Sequence, residues 1–118
     1  MEIFVKFDFA ASRRLTLLAT EHPCSRVHGH TFEVQILVAG EIDPSTGFMV
    51  DFAVIEKSIA QIKETVDHRY LNDIDGLENP TTEILAQWLW GNLLKDLPGL
   101  TEIIVQEHYS RGVIYKGS

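Results

Sequence analysis

Apolar and polar side chains alternate over residues 28 to 36, and this period of two constrains the chain more than any other feature. His28, His30, Phe32, Val34 and Ile36 recur at every second position, with Thr31, Glu33 and Gln35 between them. In a strand, positions two apart share a face. His28 and His30 then point the same way as three apolar residues, and the pattern predicts a half-buried strand over 28–40, ending at Gly40. Two imidazoles at the end of an apolar strand face make a start for a metal site or a polar pocket floor. Gly29 between them lets another backbone or a ligand come close. The only cysteine, Cys24, lies four residues upstream, so residues 24–30 concentrate the chain's reactive side chains.

The rest of the chain supplies partners for that strand. Ile3, Val5, Phe7 and Phe9 alternate with polar Lys6 and Asp8, which predicts a strand over 2–11. Residues 12–27 have no clean period and read as a long excursion loop, a kind of segment that commonly carries function. Asp43-Pro44-Ser45-Thr46-Gly47 has turn composition and is suited to closing a hairpin. Asp51 stands as an N-cap before Phe52, Ile55, Ile59, Ile62 and Val66, whose spacings of 3, 4, 3 and 4 mark an amphipathic helix.

Asn79-Pro80-Thr81-Thr82-Glu83 reads as a second helix start, with a capping residue and an early proline. That helix runs to about Lys95, with Ile84, Leu85, Trp88, Leu89, Trp90 and Leu93 expected inside. Residues 101–108 form a third long strand with Ile103, Val105 and Glu107 on one face. A turn at Ser110-Arg111-Gly112 leads to a fourth strand over 113–116. The order β-β-α-α-β-β implies an α+β fold in one domain spanning 1–118, a four-stranded antiparallel sheet with both helices on one face.

A chain of 118 residues can bury one core. Its formal net charge of -7 disfavours a non-specific nucleic-acid binder, although Arg13, Arg14 and Arg26 form a local basic cluster in the sequence. A single cysteine cannot form an internal disulfide and fits a reducing compartment. No apolar run approaches the ~20 residues that span a membrane. The start Met1-Glu2-Ile3-Phe4 lacks a basic region, and Lys6 and Asp8 interrupt it, unlike a signal peptide. These features lead to the expectation of a cytoplasmic protein.

The candidate groups divide into thiol, metal and carboxylate chemistry. Cys24 can act as base or nucleophile where a cation or imidazole favours its thiolate. His28 and His30 suit zinc through imidazole nitrogen, but a catalytic zinc usually has three protein ligands. His22, His68 and His108 are possible third partners, and spacing alone does not choose among them. Asp67 beside His68 could orient that imidazole, as in a triad with Cys24. Glu107 must be paired or hydrogen-bonded if buried. The plainer readings are an inert cysteine and a solvated histidine at a helix end. The residues alone therefore reach a metal- or thiol-dependent site without naming a substrate.

Seven blocks carry a resemblance over essentially the whole chain: Phe9 to Leu15, Cys24 to His30, Gly47 to Phe52, Asp67 to Asn72, Asn79 to Glu83, Val105-Gln106-Glu107, and Val113 to Gly117. Together they resemble the 6-pyruvoyltetrahydropterin synthase superfamily, most nearly its bacterial 6-carboxy-5,6,7,8-tetrahydropterin synthase branch of queuosine biosynthesis. The resemblance implies the tunnelling fold, with trimers closing into a barrel, stacked trimers forming hexamers, and active sites between subunits. It implies a lyase that converts 7,8-dihydroneopterin triphosphate to 6-carboxytetrahydropterin, acetaldehyde and triphosphate. By the same resemblance Cys24 would transfer protons, with Asp67 and His68 of a neighbouring subunit as its partners. Glu107 would hold the pterin ring, and Thr81 and Thr82 would line its pocket. Zinc would be the cofactor, with His28 and His30 as two of its three histidines.

Arg13 breaks the pattern. The family motif Phe-x-Ala-x-His places the third ligand where this chain has Arg13, two residues past Ala11. A guanidinium is a permanent cation with no lone pair to give, so it cannot replace a histidine ligand. Three readings follow: the guanidinium stands in for a lost zinc, another histidine such as His22 or His108 is recruited, or the protein binds a pterin without turning it over. His108, following Glu107, is a second departure.

Overall fold

The computed structural model describes residues 1–118. Its long strands are β1 (Glu2–Arg13) and β2 (His28–Ala39), followed by helix α1 (Phe52–Val66). A two-residue strand β3 (Arg69–Tyr70), helix α2 (Thr82–Leu94), β4 (Leu100–His108) and β5 (Arg111–Tyr115) complete the order. The fold is α+β as expected, but the sheet has five strands in the order β3-β1-β2-β4-β5. The extra strand pairs parallel to β1 through Ala11↔Arg69 and Ser12↔Tyr70, and the other pairings are antiparallel.

Alternation in the sequence becomes a two-faced sheet. On β2, Phe32, Val34, Ile36 and Val38 are buried, while Thr31 and Glu33 are exposed. On β4, Ile103 and Val105 are fully buried. Helix α1 lays Ile55, Ile59, Ile62 and Val66 on this face, each contributing about 1.5–3 kcal/mol by leaving water. Its Asp51 cap accepts a hydrogen bond from the Ala53 amide, as the sequence implies. Phe52, which the spacing places on the same stripe, is exposed at the first position of the helix.

Several boundaries differ from the expectation, each for a local reason. Strand β1 continues to Arg13, because β2 offers it a partner at every step from Ala39 back to His28. The turn at 43–47 closes on itself through the Asp43 amide and Phe48 carbonyl at 2.8 Å, without extending into a hairpin. Helix α2 is capped by Thr81, whose hydroxyl accepts from the Ile84 amide at 3.1 Å. Asn79 instead accepts from the Thr16 amide. Ile84 is exposed, while Leu85, Leu89 and Leu93 are buried and Trp88 and Trp90 are half-buried. The final turn falls at Tyr109–Ser110, so β5 begins at Arg111. No helix is long and apolar enough to cross a membrane.

Candidate active site

The register of β1 against β2 decides which groups meet. It pairs Arg13 with His28, Ala11 with His30 and Phe9 with Phe32, all on the buried face. The rings of His28 and His30 lie edge to face at 5.1 Å, and His30 continues the stack onto Phe32 at 5.5 Å. His28 Nδ1 donates to the Arg26 carbonyl at 2.7 Å, which leaves Nε2 as the atom with a lone pair to offer. Burial lowers the pKa of His30, and the Arg13 cation lowers it further against an opposing pull from Glu107. His30 is thereby favoured as a neutral imidazole.

Arg13 is the most constrained polar group of the site. It is 3% exposed. Its Nη2 donates to Glu107 Oε2 from the neighbouring end of β4. Its Nη1 donates at 3.1 Å to both the Pro80 carbonyl and the Thr82 hydroxyl. The guanidinium also lies 5.1 Å from the Phe32 ring centroid, within cation–π range. Only Nε lacks a partner. Burial alone would raise the pKa of Glu107, but the charge and hydrogen bond of Arg13 outweigh it and, helped by Thr82 and His30, hold the carboxyl below its usual range. Arg111 Nε approaches the other carboxylate oxygen at 3.4 Å, and His30 Nε2 lies 3.8 Å from Oε2.

A second cluster lies where α1 ends. Asp67 accepts from the Ala10 amide at 2.9 Å, and the His68 amide donates to the Ala10 carbonyl at 2.6 Å. This fastening accompanies His68 at φ 57°, a left-handed conformation uncommon outside glycine. His68 Nδ1 lies 3.1 Å from Asp67 Oδ1, so the ring is oriented while remaining largely exposed. The Ala10 amide is the largest influence lowering the pKa of Asp67. An open hollow of about 550 Å³ is lined by His30 and His68 together with Gly29 and Tyr70. Cys24, half-buried, sits in the 3-10 turn Pro23–Ser25. Its carbonyl accepts from the Leu15 amide at 2.9 Å, so the turn is tied to the chain leaving β1.

The structure thus gathers His28, His30, Glu107 and Thr82 around Arg13, with Asp67 and His68 as an oriented pair across β1. Thr81 does not join them through its hydroxyl, which is committed to capping α2. No three His, Cys, Asp or Glu side chains gather to hold a metal. His22 Nδ1 accepts from the Cys24 amide, and His108 Nδ1 is bonded to Ser110. Neither completes a set with His28 and His30, and the position facing His28 is filled by a cation. The donor set therefore does not fit a three-histidine zinc. The sequence places Arg13 beside His28 and His30 only through the motif; its pairing with Glu107, Thr82 and Pro80 has no local signal, since all three are remote in the chain.

Residues 2–118 match the family described as 6-pyruvoyl tetrahydropterin synthase. A 6-carboxy-5,6,7,8-tetrahydropterin synthase of Synechocystis is 36% identical over 111 residues, covering 89% of this chain and 84% of that protein. A dihydroneopterin monophosphate aldolase of Pyrococcus furiosus is 41% identical over 73 residues, 62% of this chain and 60% of its own length. The structure of Caenorhabditis elegans 6-pyruvoyl tetrahydropterin synthase superposes with a TM-score of 0.91 at 26% identity, over 100% of this chain and 96% of that one.

Proposed function

Because the chain belongs to the 6-pyruvoyl tetrahydropterin synthase family, we propose that it is a lyase acting on the side chain of a dihydropterin. The specific reaction proposed converts 7,8-dihydroneopterin triphosphate and water to 6-carboxy-5,6,7,8-tetrahydropterin, acetaldehyde and triphosphate, a step towards queuosine. The observation that carries an enzymatic reading is the oriented Asp67–His68 pair. With Nδ1 directed at the carboxylate, the exposed Nε2 of His68 is available for proton transfer. Cys24 serves as the second proton-transferring group, and Glu107 recognises the N–H edge of the pterin ring. The site is shared in a homo-oligomer, a trimer or hexamer, in which His68 of one subunit serves the pocket of another. The setting is the cytoplasm. Zinc in this family would polarise side-chain oxygens, but with Arg13 in place of a ligand no step is assigned to it.

The test is turnover. Purified protein given 7,8-dihydroneopterin triphosphate should release acetaldehyde and the carboxylated pterin, detected by mass spectrometry. Cys24→Ala and His68→Ala should each lower kcat by about 10²–10⁴-fold with the fold intact. A folded oligomer that binds pterin and turns none over would sink the lyase reading. A second reading, an altered-activity or non-catalytic pterin binder, is favoured by the Arg13–Glu107 contact. Similarity to the Pyrococcus aldolase makes dihydroneopterin monophosphate the alternative substrate to assay.

A further inference from the structure

Glu107 and Thr82, assigned above to a pterin pocket, are already engaged by the chain's own Arg13. The chemical equivalence is close. A pterin's 2-amino-4-oxo edge offers N–H donors on one side of a guanidine-like unit, and a guanidinium offers the same kind of donors to the same carboxylate. We infer that Arg13 is an internal occupant of the ligand-recognising carboxylate, and that a pterin binds by displacing its guanidinium from Glu107. This rests on the reading of Glu107 as the pterin anchor.

Three features separate an exchangeable occupant from a permanent ion pair. First, Arg13 uses one amino group and one carboxylate oxygen, short of the two parallel bonds a guanidinium can make with a carboxylate. Second, its Nε is buried without a partner, so the contact leaves part of its hydrogen-bonding capacity unused. Third, Nη1 is held independently by the Pro80 carbonyl and Thr82. The guanidinium can therefore release Glu107 and keep two of its acceptors. The second oxygen of Glu107 is approached at a long 3.4 Å by the largely exposed Arg111. It is the oxygen an incoming donor would engage first.

The experiment is titration with neopterin, followed by its fluorescence, against wild type, Arg13→Ala and Glu107→Gln. The expected result is about tenfold or tighter binding by Arg13→Ala, the equivalent of removing one charge-assisted competitor, and at least tenfold weaker binding by Glu107→Gln. Nitrogen-15 NMR of wild type avoids any folding defect in the variants. The Arg13 Nη signals should shift as neopterin saturates the protein. Unchanged or weaker binding by folded Arg13→Ala overturns the inference, as do unchanged Arg13 signals at saturation. If neopterin binds Glu107→Gln as well as wild type, or binds none of the proteins, the assignment of Glu107 fails and the inference falls with it.

Discussion

At Arg13 a permanent cation sits among groups that suit a metal and a ligand, and it changes the role of each. A buried guanidinium needs a countercharge, and Glu107 supplies it. Glu107→Ala should therefore destabilise the fold by roughly 1–3 kcal/mol, read by chemical denaturation, because Arg13 loses its countercharge while keeping the Pro80 and Thr82 acceptors. The paired replacement Arg13→Met with Glu107→Leu removes both charges and should recover most of that loss. If the single and paired variants are equally unstable, the ion pair is not what the fold depends on. Arg13→His asks the converse question. Its register opposite His28 would place a third imidazole beside two that already share a face. Zinc should bind more tightly than to wild type, measured as metal retained per protomer after dialysis. No gain would mean the pocket has diverged beyond this one residue. That Arg13 cannot serve as a metal ligand was legible in the sequence, because a guanidinium has no lone pair to give. Where it turns was not: Pro80, Thr82 and Glu107 lie more than sixty residues away in the chain, and only the packing of the α2 start and the β1–β2–β4 register bring them near.

Among the elements, the segment from Asp67 to Asn72 works as a clamp along the end of β1. Asp67 takes the Ala10 amide, Arg69 and Tyr70 pair with Ala11 and Ser12, and Asn72 exchanges two hydrogen bonds with the Arg14 backbone at 2.7 and 2.9 Å. The same carboxylate that orients His68 thus also fastens the strand. Because the pKa of Asp67 is depressed in the folded state, its stabilisation is present above the unfolded carboxylate value of about 3.9 and is lost as pH falls through the lower folded value. Asp67→Asn should melt below wild type at pH 7, and the two should converge in acid below about pH 4. A gap that persists unchanged there would mean the charge is not what matters. On the opposite side of Arg13, Thr81→Ala should cost about 1 kcal/mol as a lost N-cap and loosen the Pro80–Thr82 grip on Arg13. Both helices and the four longer strands were legible, because periods of two and of three to four register burial directly. The short β3 was not, since two residues set no period and its partner on β1 is remote in the sequence. The cap was misplaced for a related reason: Asn79 and Thr81 are both good caps, and a tertiary contact to Thr16 claims the first.

The whole chain is more extended than a self-sufficient domain of its length. Its radius of gyration is 15.5 Å, against about 13.5 Å expected for a compact fold of this size, and its longest dimension is 58 Å. The helices cover one sheet face only. The other carries exposed Phe4 and Ile114 among polar neighbours, and β5 ends the sheet with an unpaired edge. An edge of this kind is protected or paired in natural proteins, and here no strand of the chain pairs with it. His68 points the same way: an oriented imidazole on an exposed margin is most useful to a pocket that another subunit completes. Light scattering should therefore give three or six times the 13.4 kDa of one chain. Ile114→Glu, on a strand whose inward neighbours Val113 and Tyr115 pack on the core, should leave the fold intact while weakening assembly. Turnover should then fall with the oligomer and recover at high protein concentration. A monomer that keeps full activity would show that His68 and the Arg13 cluster serve one pocket within one chain, through the hollow that His30 and His68 already share.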